Sequence, residues 1–179
     1  MRNAEKDSIA LIGFMATGKT NVGQKLAEAL NKDYKFIETD QIIIEDAGKS
    51  IPEIFEEDGE IRFREYEIQA CKKASQLHHV IISCGGGVVL NKINVDYLKR
   101  NCHIVLLTAT AEEIYNRAMK DGQETRPVID KEDPKAEIKS VLDFREPFYD
   151  AAAEIIVDTT NKSFKEIITE IINKTKLRE

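Results

Sequence analysis

Ser8-Ile-Ala-Leu-Ile-Gly13-Phe-Met-Ala-Thr-Gly18-Lys19-Thr20 is the stretch whose reading decides the fold. Ser8 to Ile12 is a short apolar run, the pattern of a buried strand. Gly13 to Thr20 fits G-x-x-x-x-G-K-[ST], and Val22, Leu26, Ala29 and Leu30 then recur at helical spacing. A strand, glycine loop and helix in that order point backbone N–H groups inward as an anion nest, backed by the positive end of the helix. Lys19 is then placed to reach the β- and γ-phosphates of a nucleotide, and the Thr20 hydroxyl to ligate magnesium. This is an ATP or GTP site.

Outward from the loop, Tyr34–Ile37 predicts a second strand, and a polar helical stretch follows to about Leu77. Val80–Ser83 and His103–Leu107 predict two more strands, and Ala111–Met119 a helix. Lys120 to Pro134, with Gly122 and Pro127, predicts a long mobile loop. Helix resumes to about Tyr149, with Arg145 in a segment expected to end before Pro147. Ile155–Val157 is a last strand, and Phe164, Ile167, Ile168, Ile171 and Ile172 mark a C-terminal helix. Five short strands separated by helices predict a three-layer α/β domain, with a parallel sheet covered on both faces. Ligands in such sheets bind at the carboxyl ends of the strands, where the glycine loops lie here.

The chain has 179 residues, no repeat and no linker, so one domain is expected. A hydrophobic fraction of 42% supplies a real core and rules out disorder as the main state. No apolar run approaches the roughly 20 residues of a membrane span. The N-terminus lacks the apolar core of a leader, and a cytosolic location is expected. A net charge of −6 argues against a nucleic-acid partner. Cys71, Cys84 and Cys102 have no metal or disulfide spacing, and His78, His79 and His103 no ligand spacing.

Asn91-Lys-Ile-Asn94 imitates a guanine-reading motif but lacks its aspartate, and Ile42–Asp46 imitates a magnesium-binding strand but fits an amphipathic helix better. Glu38-Thr-Asp40 lies just beyond the second strand, where one acid can hold magnesium through water and the other accept a hydroxyl proton. Gly85-Gly-Gly87 follows a strand and predicts a floor of backbone N–H groups under a ligand. Arg126, beside Pro127 in the long loop, is placed to neutralise transition-state charge. Arg145 could hold a substrate carboxylate by two hydrogen bonds. Arg64 alone reads as a solvated helix face.

As a set, these landmarks resemble the shikimate kinase family over nearly the full chain. They are Gly13–Thr20, Glu38–Asp40, Asp58-Gly-Glu60 with Phe63-Arg64 and Glu67, Gly85–Gly87, Thr125–Pro127, Arg145 with Tyr149, and Val157–Thr159. The resemblance implies a P-loop kinase fold with a mobile lid at about 118–134, an acceptor-binding helical region at about 38–77, and transfer of the ATP γ-phosphate to the 3-hydroxyl of shikimate. By position, Asp40 would be the base, and Arg64 and Arg145 would clamp the shikimate carboxylate beside Gly86 and Gly87. Arg126 would be the lid arginine. Gly13, Ala16, Thr17, Gly18, Lys19, Thr20 and Asn21 would hold the phosphates, with Arg117 and Lys162 toward adenine. Thr20 and Glu38 would serve magnesium. No feature calls for an obligate partner, and a monomer is expected.

Three positions depart from the family pattern. Ala16 stands where glycine is usual, and its Cβ is tolerated if the residue keeps a negative φ; Asn21 replaces threonine or serine; Glu38 is one methylene longer than the commoner aspartate. The residues alone leave open other small acceptors, gluconate or a nucleoside monophosphate among them, and an ATP-binding regulatory protein with weak catalysis.

Overall fold

The computed structural model of the chain describes residues 6–30, 33–120 and 132–177. Among these, five parallel strands form one sheet in the order β2-β3-β1-β4-β5: β1 (Ser8–Ile12), β2 (Lys35–Glu38), β3 (Val80–Ser83), β4 (Cys102–Thr108) and β5 (Ile155–Asp158). The central strand β1 aligns Leu11 with Ser83 on one side and Ile12 with Leu106 on the other, so the strand ends share one edge. The glycine loop leaves from that edge.

Alternation along each strand divides the core into two faces. Ile9, Leu11, Ile81, Val105, Leu107 and Val157 point one way, against Val22 and Leu26 of α1 (Lys19–Leu30) and Ile167 and Ile171 of the C-terminal helix (Phe164–Thr175). Ala10, Ile12, Ile82, Ile104 and Leu106 point the other way and are covered by three more helices. The expected three layers are present.

Between β2 and β3 the chain builds a side lobe. It comprises α2 (Thr39–Ala47), a short α3 (Ile51–Glu53), a π-helical turn (Ile54–Asp58) and α4 (Gly59–Ala74), packed around Ile43, Ile54, Phe63 and Ala70. Gly48, at φ +64°, ends α2 in the left-handed conformation that glycine adopts without steric cost. Beyond β3 come a 3-10 turn (Val88–Leu90) and α5 (Lys92–Leu98), which Asn91 caps by accepting the Ile93 N–H at 3.0 Å. The remaining helices are α6 (Ala111–Lys120), α7 (Pro134–Ala152) and the C-terminal α8.

Two expectations change. Strand β2 runs one residue later than predicted, and its last residue is Glu38. Pro147 lies inside α7 rather than beyond its end. Proline there removes one intrahelical hydrogen bond, but Tyr149 and Ala152 are buried further along and hold the helix in place. Among the described residues no helix is long and apolar enough to cross a membrane.

Candidate active site

The glycine loop turns sharply. Gly13 has φ +142° and a Cβ there would lie 2.4 Å from the Leu107 carbonyl oxygen, so only glycine fits. Gly18 has φ +96°. Ala16 sits at φ +56°, so the negative φ that would accommodate a Cβ without strain is not the one adopted, and an alanine bears the left-handed conformation. Thr17, almost fully buried, closes the turn by donating its hydroxyl to the Phe14 carbonyl at 2.8 Å. Lys19 Nζ donates to the carbonyls of Gly13 (2.9 Å) and Phe14 (2.8 Å), which tethers its ammonium at the mouth of the loop.

Glu38, at the end of β2, accepts the Thr20 hydroxyl hydrogen bond at 2.7 Å. Asp40 stands in the first turn of α2 and opens to the cleft. Loss of hydration among the surrounding protein raises its carboxyl above the ordinary range; Lys19 opposes this and Glu38 adds to it. Thr39 is fully buried and accepts the Gly85 N–H at 3.0 Å, which locks α2 to the triple-glycine segment. A Cβ on Gly85 would lie 2.9 Å from Asp40 Oδ1, so the glycine lets the carboxylate come close.

Two arginines converge on that segment from different helices. Arg145 Nη1 of α7 donates to the Gly86 carbonyl at 3.2 Å, and the Tyr149 hydroxyl donates to the same oxygen at 2.6 Å. Arg145 Nε is buried, with no acceptor among the described residues. A buried donor without a partner is costly, and an anion beside Gly86 would satisfy it. Arg64 of α4 packs so close to Gly87 that a Cβ there would lie 3.0 Å from Nη1. The carboxylate of Glu67, 2% exposed, holds this guanidinium with both oxygens 3.1 Å from Nη1. Arg64 therefore does not belong to a solvated face, as it would if read alone.

Between the glycine loop, Asp40 and the triple-glycine segment lies a cavity of about 220 Å³ lined by Ala16, Lys19, Thr20, Glu38, Asp40 and Gly86, among others. Its acids, ammonium and glycine backbone are the groups that phosphoryl transfer to a hydroxyl requires.

Arg117, on α6, bridges the loop and β5: it donates to Thr159 Oγ1 at 3.0 Å, to the Thr159 carbonyl at 2.9 Å and to the Ala16 carbonyl at 3.4 Å. Asn21 is exposed at the start of α1. Lys162 turns to Glu170 of α8, 2.9 Å away. Arg126 and the centre of the expected lid lie outside the described residues. Sequence reasoning named Glu67 and Tyr149 only as landmarks and Asn94 only as the end of a false guanine-reading motif, whereas its amide reaches Glu67. The Arg64/Glu67 spacing was the available signal, but an i,i+3 pair on a surface helix looks the same.

The shikimate kinase family model matches residues 15–176. The chain is 43% identical over 165 residues to a shikimate kinase of Caldanaerobacter subterraneus subsp. tengcongensis, covering 92% of this chain and 94% of the relative. It is 40% identical over 170 residues to a shikimate kinase of Enterococcus faecalis, covering 95% and 99%. The solved structure of the Acinetobacter baumannii shikimate kinase in complex with shikimate superposes with a TM-score of 0.85 at 28% identity, covering 94% of this chain and 92% of that one. Matches of this extent mean that the chain belongs to the shikimate kinase family.

Proposed function

We propose that this shikimate kinase transfers the ATP γ-phosphoryl group to the shikimate 3-hydroxyl, giving shikimate 3-phosphate and ADP, through the groups that meet at the strand ends. The observation that carries the assignment of residues is the convergence of Arg64 and Arg145 on Gly86 and Gly87, on the same segment that Asp40 approaches at Gly85. Two guanidiniums from different helices suit a planar carboxylate, and the orphaned Nε of Arg145 suits its second oxygen.

With the carboxylate so held, the acceptor hydroxyl is turned toward Asp40. The hydroxyl oxygen attacks the γ-phosphorus, the bond to the β–γ bridging oxygen breaks, and the hydroxyl proton passes to Asp40. A carboxyl raised by loss of hydration is a stronger base than one in water, which favours that transfer. Lys19 offers its ammonium to the phosphate oxygens, and the loop N–H groups from Gly13 to Thr20 offer theirs. Thr20 and Glu38, whose oxygens lie 2.7 Å apart, are the residues that would hold a magnesium ion. Such an ion supplies neutralisation of phosphate charge. Arg126 is assigned to the same neutralisation, and Arg117 and Lys162 to the adenine side. The whole chain is taken as one domain acting as a monomer.

The test is ADP release with magnesium and ATP, offering shikimate, gluconate and a nucleoside monophosphate in turn. Release with shikimate alone is expected. A preference for either other acceptor would contradict the assignment of the arginine pair.

A further inference from the structure

Asn94 is fully buried on α5, beside the apolar layer that contains Val88, Val89, Val95 and Leu98. Its Nδ2 donates to Glu67 Oε2 at 3.1 Å and to the Val88 carbonyl at 3.1 Å. Both partners are acceptors, so the nitrogen faces them and the amide has one orientation. Its Oδ1 is buried with no donor among the described residues. An apolar side chain of the same size would avoid that cost, so the amide is not explained by packing.

What the amide joins is more telling. Glu67 holds the Arg64 guanidinium, while Val88 closes the triple-glycine turn through its own N–H to the Gly85 carbonyl at 3.1 Å. One NH2 group therefore ties together two walls of the acceptor pocket that come from different parts of the chain. We propose that Asn94 is a positioning residue for the acceptor, holding Arg64 in register with Gly86 and Gly87 through Glu67 and Val88. This rests on the reading of Arg64 as a carboxylate ligand. Asn94 touches neither substrate; it acts through Glu67 and Val88 on Arg64 and the glycine segment, which do.

The consequence is a specific kinetic signature. Glu67 is faced by Arg64 and Cys71 on its own helix, by Asp40 from α2 and by Asn94 from α5. Burial raises its carboxyl, and Arg64 and Asn94 are the groups that work against this. In Asn94→Leu one of those two is lost, Glu67 takes up a proton more readily, and Arg64 loses its holder. In Asn94→Asp a second carboxyl faces Glu67: protonated it can donate, ionised it repels, and it competes with the substrate anion for Arg64.

The experiment is steady-state kinetics of the full chain from mildly acidic to mildly alkaline pH. In Asn94→Leu, KM for shikimate is expected to rise on the order of tenfold, with KM for ATP unchanged. The defect should deepen as pH falls. In Asn94→Asp, which is nearly isosteric and keeps the test available should the leucine variant not fold, it should deepen as pH rises. Combining either substitution with Arg64→Ala should add little to the loss from Arg64→Ala alone. Wild-type KM for shikimate in the variants, an equal rise in both KM values, or full additivity with Arg64→Ala would each overturn the proposal. Absence of shikimate-dependent turnover in the wild type would instead overturn the functional reading on which it rests.

Discussion

Ala16 bears a left-handed backbone at φ +56°, which costs an L-residue about 1–2 kcal/mol and glycine almost nothing. Replacing it by glycine also loosens the unfolded chain, which takes back about 0.4–1 kcal/mol. Ala16→Gly should therefore stabilise the protein by about 0.5–1 kcal/mol, seen as a higher urea midpoint with an unchanged slope. A lower midpoint would show that the loop is not strained there. Gly85 presents the opposite case, since its φ is not in the left-handed range and only contact forbids a side chain. Gly85→Ala would push on Asp40 Oδ1 from 2.9 Å, and kcat should fall by about tenfold or more while the unfolding midpoint hardly moves. Unchanged kcat would mean that Asp40 tolerates displacement. The Gly13–Thr20 loop was legible because its chemistry is local: glycines, lysine and hydroxyl follow one another in the chain. The conformation of Ala16 was not, since φ there is set by the anchoring of the whole loop, with Thr17 held to Phe14 on one side and the Ala16 carbonyl to Arg117 on the other.

Helix α8 begins with a reciprocal cap in which the Ser163 hydroxyl accepts the Glu166 N–H, and the Glu166 carboxylate accepts the Ser163 N–H at 2.8 Å. Ser163→Ala should cost about 1 kcal/mol of stability and leave the kinetics alone, because the helix packs behind the sheet through Ile167 and Ile171. A change in KM for either substrate would show coupling between α8 and the cleft. Elements with strong period were readable from sequence: the apolar strands fell within one residue of their expected bounds, and α1 and α8 formed where their apolar residues recur. Helix α7 was readable only in part, because Pro147 is a local stop signal that long-range contacts override. The Tyr149 hydroxyl on Gly86 comes from a residue 63 positions away, and no short-range pattern contains it. The same holds for Glu67, whose burial depends on α5 closing over α4.

Across the whole molecule, Cys71, Cys84 and Cys102 all lie in the core layer that the sheet shares with α4, α5 and α7, and burial raises each thiol, Cys102 to about 12. The folded protein should resist a thiol reagent at mildly alkaline pH and react at all three cysteines once unfolded, so labelling would follow global opening. Rapid labelling of the native state would contradict the burial of that face. Glu67 gives the fold a pH dependence of definite sign. Its carboxyl is raised above 4.5 by burial, so the native state binds that proton more tightly than the unfolded chain. The stability it contributes is full below the unfolded value and is lost as pH rises through the folded one. Glu67→Gln should flatten that part of the stability curve.

The account as a whole stands on Asp40 as the base of a shikimate-dependent phosphoryl transfer. The most direct measurement is ADP release with ATP and magnesium, with and without shikimate, for the wild type and Asp40→Asn. The wild type should turn over only with shikimate, and the variant should lose at least about a hundredfold in kcat while still binding shikimate through Arg64 and Arg145. Turnover that survives the substitution, or that does not depend on shikimate, would contradict it.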